Sequence, residues 1–485
     1  MKKRVIYGCL IVILLAEKVK MTFTTDTIKR IVFLGCFIGL ALGSQNLINF
    51  TVAEPNGTTR TRLQMQWSQT FGGTDDDCAG SVIQTVDGGF ALAGYTRSYG
   101  AGEEDFWLIK TDSTGTMIWN KTYGDSDRDS AYSLIQTTDG GYALTGTTIP
   151  PNDSVNDFWL VKTDANGLEE WNKTFGGTYG DWDWASSLIQ AADGGFVLAG
   201  STNLYGNSDF WLVKTNATGH HEWNNTFGGS EWEWASSLIQ TVDGGYALVG
   251  STRSFGAGNH EFWLVKTNAT GQEEWNKTFG RTTHDGARSL LQTADGGYVL
   301  AGGTDSFDAG NTNFWLVKTD AMGHHEWNQT FGGRYSDQAM ALIQTVDGGF
   351  VLAGETVSFG AGYTDFWLVK TDVMGHHEWN QTFGGASDEL LGSSRPLIQT
   401  TDGGLLLTGW TSSFGVGGYD TWLLKLNEVE ITSIPTTTPP ITTPQVTTPE
   451  ITSSQEPESA TAFPNLFSVI GCMGVLIIWR KRGKR

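Results

Sequence analysis

The two ends of a repeat array complete each other, and this constrains the fold more than any other feature of the 485-residue chain. A Trp within text like WNKTFGG falls at Trp67, Trp119, Trp171, Trp223, Trp275, Trp327 and Trp379, always 52 residues apart. Asp-Gly-Gly recurs at Asp87, Asp139, Asp193, Asp243, Asp295, Asp347 and Asp402. A third mark falls at Trp107, Trp159, Trp211, Trp263, Trp315, Trp367 and Trp422, spaced by 52 residues five times and then by 55. Fixed periods of this size belong to stacked or closed repeat architectures. The first copy opens with a lone last segment, MQWSQTFGG (Met65 to Gly73), and the last copy stops one segment short, at DTWLLKLNEVE. An open solenoid has no use for such ends, whereas a ring uses both and removes the exposed edges.

Four short segments are legible in each unit: SLIQT, YALVGST, FWLVKT and EEWNKTF. All are rich in β-branched and aromatic residues and bounded by Gly, Asn or Asp, which reads as strands. Asp-Gly-Gly joins the first two as a tight hairpin, because Gly takes positive φ without penalty. DANG, NATG, DAMG and DVMG join the last two, with Asx opening and Gly closing a turn. Four antiparallel strands with apolar residues on both faces make a propeller blade, and seven copies fall within the usual blade number. The expectation is an all-β, seven-bladed β-propeller over residues 65–428, its N-terminal strand closing the last blade. Gly 63 and Trp 20 suit turns and buried aromatic strands. Of the four cysteines only Cys78 lies in the repeats, so packing rather than disulfides must hold the fold.

The pattern LIQTxDGGYALAGxT…DFWLVKTDxxGxxxWNxTFGG resembles a repeat of secreted and surface proteins of archaea and bacteria. Some of those relatives carry enzyme-like names, endoglucanase among them. VKTDANGLEEW is also similar to the tryptophan-docking turn of quinoprotein-type propellers, one residue shorter between Asp164 and Gly167. It similarly resembles the sialidase Asp-box turn, with different spacing. In both families such turns are structural, so the resemblance implies fold and no catalytic residue.

The ends suggest an address. Residues 1–43 hold two apolar runs, Val5 to Ala16 and Ile31 to Gly43, the second in the grammar of a secretory signal. Either Met21 is the true start or the two runs form a membrane hairpin. Residues 44–64 read as a linker and 429–462 as a Thr/Pro-rich stalk unable to build a core. Residues 463–479 read as a short transmembrane helix, and 480–485 as a basic cytoplasmic tail. This layout resembles archaeal surface proteins and implies a single-pass cell-membrane protein with an extracellular propeller. A retained anchor is the simpler reading, because no PGF-type sorting tripeptide precedes the helix.

The formal charge of −21 understates the acidity of the middle, since basic residues concentrate at the two ends. Such a body repels phosphates and anionic lipid, which disfavours nucleic acid as a partner. The Asp-Gly-Gly and Asx-x-x-Gly turns fall on one face of the ring, and the variable loops fall on the other, where ligand sites concentrate. There GDWDW and SEWEW enter adjacent blades. Strand alternation puts Trp182 with Trp184, and Trp232 with Trp234, on one side, with Asp181, Asp183, Glu231 and Glu233 opposite. Indole faces beside carboxylates suit a sugar ring; the competing reading packs these indoles between blades. Asp75, Asp76 and Asp77, with Asp125, Asp127 and Asp129, suggest Ca²⁺ or simply solvated acids. The His-His-Glu triplets at His220, His324 and His376 read as outer-strand filler, since adjacent strand residues point apart. Asn120, Asn172, Asn216, Asn224, Asn268, Asn276, Asn328 and Asn380 lie in glycosylation sequons, as do Asn49, Asn56 and Asn152. In WNxT the Asn is equally explained as a need of the strand itself. No nucleophile elbow, zinc spacing or phosphate loop is present. Three functions stay open: recognition or adhesion through glycans or surface proteins, carbohydrate hydrolysis, and a structural cell-envelope spacer.

Overall fold

A computed structural model describes residues 59–149, 155–177, 182–203, 206–307, 311–392 and 395–432. The apolar N-terminal runs, residues 433–462 of the stalk and the run at 463–479 lie outside the described residues, whereas 429–432 belong to a strand. Among the described residues no helix is long and apolar enough to cross a membrane.

The strands form seven separate antiparallel sheets. Blade 4 is typical: Glu233–Gln240, Tyr246–Thr252, Glu261–Thr267 and Glu273–Phe279 pair in chain order. Its hairpin closes by Thr241 N–H to Gly245 O, 3.0 Å, with Gly244 at φ +85°. The Asp243 carboxylate accepts from both Thr241 Oγ1 and Gly245 N, so Asp-Gly-Gly is a turn with its own internal cap. In the next turn Asn268 Oδ1 accepts the N–H groups of Thr270 and Gln272. Gly271, at φ +77°, lets the Trp223 ring of the preceding blade pack closely on it; a Cβ there would strike the ring. Trp67 docks in the same way on Gly115 of blade 1, as do Trp119, Trp171, Trp275 and Trp327 on the turns that follow them.

The ring closes as its two ends require. Thr59–Phe71 pairs antiparallel with Asp420–Thr432, with Trp67 opposite Lys425 and Thr70 opposite Trp422. Pairing extends beyond 65 and 428 at both ends, because no turn is needed where the two strands come from opposite chain ends. The 55-residue spacing has a definite place. Inner strands of the other blades carry a one-residue bulge, such as that between Ala235 and Ser237. In blade 7 the inner strand is instead split into Glu389–Leu391 and Leu397–Gln399.

The core is a circle of similar inter-blade clusters. Phe262, Leu264 and Phe279 of blade 4 pack on Leu290, Leu300 and Trp315 of blade 5. At the seam, Phe71, Leu406 and Leu423 of blade 7 pack on Val82, Leu92 and Trp107 of blade 1. Every blade must present the same two faces, and this is why the phrase recurs.

Candidate functional site

The two faces of the ring differ in chemistry. On the turn face each blade buries one lysine. Lys266 Nζ donates to Asp243 (2.9 Å), Glu274 (2.8 Å) and Thr267 O (2.8 Å). Burial alone would raise Asp243, but hydrogen bonds from Lys266, Thr241 and Gly245 outweigh it and hold the carboxyl at about 2. Lys162, Lys214, Lys318 and Lys370 repeat the arrangement, whereas Lys110 and Lys425 keep the hairpin Asp without the outer-strand Glu. A shallow groove lined by Asp243, Lys266, Glu274 and Trp275 lies on this face, but its polar groups are committed to one another. The buried lysine is missed by reading FWLVKT simply as an apolar strand. The available signal is a Lys at the same place in every copy.

On the loop face the four indoles are all partly exposed, and Trp184 also packs against the neighbouring blade. Trp182, Trp184, Trp232 and Trp234 are 56, 45, 42 and 44 % exposed. Tyr132 of blade 2 stacks on Trp184 at 5.6 Å. Trp232 and Trp234 stand 5.8 Å apart, and Trp234 stacks on His260 at 5.4 Å with the rings nearly parallel. His260 in turn meets His284 of blade 5 at 4.5 Å. Burial, then the neighbouring His284, pushes His260 down to about 4, so its ring is neutral near pH 7. Aromatic groups therefore run from the inner strand of blade 2 through blades 3 and 4 to the start of blade 5.

The acids do not flank these rings as expected. The alternation holds, but Asp183 and Glu233 point inward and are buried. Glu233 accepts from Thr252 Oγ1 (2.8 Å), Ser254 N (3.0 Å) and Gly229 N (3.0 Å), so it anchors its own loop and cannot reach a ligand on the surface. Glu231 stays exposed beside Trp232. Asp181 lies outside the described residues. For hydrolysis the same burial removes Asp183 and Glu233 as acids able to touch substrate.

The loop acids read as calcium candidates are partly spoken for. Asp76 pairs with Arg97 (2.9 Å), Asp77 is buried on Thr96 Oγ1, and Asp129 is buried. Among the described residues no group of three His, Cys, Asp or Glu is arranged to hold a metal. The histidine pairs split as strand geometry demands. His324 and His376 reach Asp320 and Asp372, whereas His325 and His377 reach Asn328 and Asn380. In the outer strands each sequon Asn accepts the indole N–H of the neighbouring strand. Trp107 donates to Asn120, Trp159 to Asn172, Trp211 to Asn224, Trp263 to Asn276, Trp315 to Asn328 and Trp367 to Asn380, all at 3.2–3.3 Å. Asn216 and Asn268 cap their turns. Strand and turn needs therefore account for these Asn residues without a glycan.

No known family profile matches the chain. The regulatory protein FlaEY of Caulobacter vibrioides is 28% identical over 137 residues, which is 25% of this chain and 14% of that protein. The match thus spans about a seventh of that relative's length. Among solved structures, the Pan2 WD40 domain of Neurospora crassa aligns at TM-score 0.45 and 9% identity, covering 72% of this chain and 88% of that one. YCF48 bound to D1 peptide aligns at TM-score 0.44 and 12% identity, covering 78% and 99%.

Proposed function

We propose that this propeller is a recognition module displayed outside the cell on a C-terminal membrane anchor, and that it binds neutral glycans across the loops of blades 2 through 5. The exposed Trp182, Trp184, Trp232 and Trp234 carry the reading. Soluble proteins rarely leave several large aromatics together on one surface without a partner. Flat indoles stack on the C–H faces of sugars, with Glu231 and the loop backbone at hand for hydroxyls. The acidic body turns away anionic polymers. The secretory-type run and the 463–479 segment support the address. The sequons add glycans of the protein's own to the outer strands.

The test is glycan-array binding by the purified full chain, followed by calorimetric titration of any hit. Trp182→Ala with Trp232→Ala should weaken binding at least about tenfold, the loss expected for roughly 1.4 kcal/mol of stacking. Undiminished binding by the double variant, or no glycan bound at all, overturns the proposal. Protease protection of the propeller in intact cells would overturn the address.

A further inference from the structure

Beneath the loop face, each blade junction brings together two side chains from different blades. An acid opens the inner strand of every blade, Glu233 in blade 4 and Glu389 in blade 7 among them, and all seven are buried. The third strand of the preceding blade opens with a second acid, Asp209 and Asp365 at these two junctions. Asp209 Oδ1 and Glu233 Oε2 close over Gly228, and Asp365 Oδ1 and Glu389 Oε2 over Gly384, where a Cβ would collide with both carboxylates. Asp209 and Glu233 lie within hydrogen-bonding reach of each other. The seam between blades 7 and 1 repeats the pattern with Asp420 and Asp77 over Gly72.

The pairing leaves a specific deficit. Glu389 is satisfied by Thr411 Oγ1 (2.7 Å) and Gly385 N (2.8 Å), and Asp365 Oδ2 by Ala361 N (2.9 Å) and Gly362 N (3.1 Å). Asp209 Oδ1, Asp365 Oδ1 and Asp420 Oδ1 are buried and receive no hydrogen bond from any protein donor. Asp365 and Asp420 are each only 1 % exposed. The blade's own lysine is no remedy: Lys214 and Lys370 stand five residues along an extended strand, roughly 16 Å away. Around the blade 3–4 pair stand the Thr252 hydroxyl, the Ser254 and Gly229 N–H groups, and His260, with Arg253 behind it.

We propose that the ring is latched at the junctions of blades 3 with 4 and 6 with 7 by carboxyl–carboxylate hydrogen bonds, each holding one shared proton, so that these blades seal more tightly in mildly acidic than in alkaline surroundings. Two ionised carboxylates in contact repel, whereas one proton between them makes a donor of the first and an acceptor of the second. The proton comes from solvent, and the pair keeps a single negative charge. Burial first, then the Glu233 charge, moves Asp209 up to about 6. Asp365 also rises, through burial and then Glu389, against its backbone N–H bonds. The sign follows. A group raised on folding stabilises fully below its unfolded value near 4 and loses that contribution as pH climbs through 6. At one junction the chain itself varies the pair, with Asn313 in place of the third-strand acid beside Asp337.

The experiment measures proton release on thermal unfolding of the full chain between pH 4 and 8, with the protonated-carboxyl band followed by infrared spectroscopy. Asp209→Asn and Asp365→Asn should each release about one proton fewer near pH 5, and should weaken that band. Asn313→Asp adds a pair, should release about one proton more near pH 5, and should steepen the loss of melting temperature between pH 4 and 6. Equal proton release in all four proteins overturns the latch. So does a wild-type melting temperature that falls on chelation, which would put a metal ion where the proton is assigned. Should the Asn variants fail to fold, the wild-type infrared band and Asn313→Asp decide alone; a missing band at pH 5 overturns the proposal.

Discussion

In a closed ring no blade is terminal, so equivalent substitutions at the seam and in the middle should cost the same. Phe71 and Phe279 are such a pair. Each ends an outer strand, each is less than a tenth exposed, and each sits in a cluster bridging two blades. Truncation to Ala removes most of a buried ring and leaves a cavity, about 3 kcal/mol at the lower end for such sites because both lie near the rim. With a melting entropy of about 2.1 cal/mol/K per residue over roughly 370 ordered residues, that is a fall of about 4 °C. Calorimetry on the full-length variants, run side by side, reads the comparison directly. An open array would behave differently: its stability is a sum over neighbours, and the end unit has one neighbour instead of two. Phe71→Ala would then cost well under half of Phe279→Ala. That asymmetry refutes closure, whatever the absolute values.

Two further outcomes follow from the frame. The hairpin aspartates, held at about 2 in Asp87, Asp139, Asp243, Asp295, Asp347 and Asp402, contribute stability present above their unfolded value near 4 and lost as pH falls through 2. The melting temperature should therefore drop steeply between pH 4 and 2; a flat profile there contradicts the lysine network. Thr278→Val destroys the sequon at Asn276 but spares its bond to Trp263, so on chain from its native host it should lose one glycan's mass and keep its melting temperature within about 1 °C, as a surface change should. No mass change means that Asn276 is unmodified and serves the strand alone.

The architecture was legible because it rests on periodicity and on two complementary chain ends, both of which survive in one dimension. Trp67 and Trp422 can be put in one sheet from their places in the repeat, and their strands do pair. The aromatic surface was legible in part: alternation put Trp232 and Trp234 on the side opposite Glu233. Which side faced water was not legible, because that depends on Thr252, at the end of the next strand, and Ser254, in the loop after it, capturing the carboxylate. The junction acids were hidden for a related reason. They stand at the edges of loops that vary in length and text, so Glu233 and Asp129 looked like members of variable acidic stretches rather than fixed positions. Buried Lys266 was hidden because its three partners lie 1, 8 and 23 residues away and meet only once the turn and outer strand fold.

That separation of frame from display makes a last prediction. Asp337 in blade 6 occupies the place of Glu233 and makes the same contacts, to Thr356 Oγ1, Ser358 N and Gly333 N. The residues flanking it, Ser336 and Gln338, correspond to Trp232 and Trp234, and Ser336 is exposed. If the inward acid alone holds the loop, the indoles are passengers on it. Ser336→Trp with Gln338→Trp should then fold with a change of no more than about 0.5 kcal/mol, the range for surface substitutions. The variant should gain a second patch that binds the same glycans as blades 3 and 4, doubling the stoichiometry in calorimetry. A fall in melting temperature as large as that of Phe279→Ala would mean that the indoles shape the loop, and the division between a fixed ring and freely varied loops would fail with it.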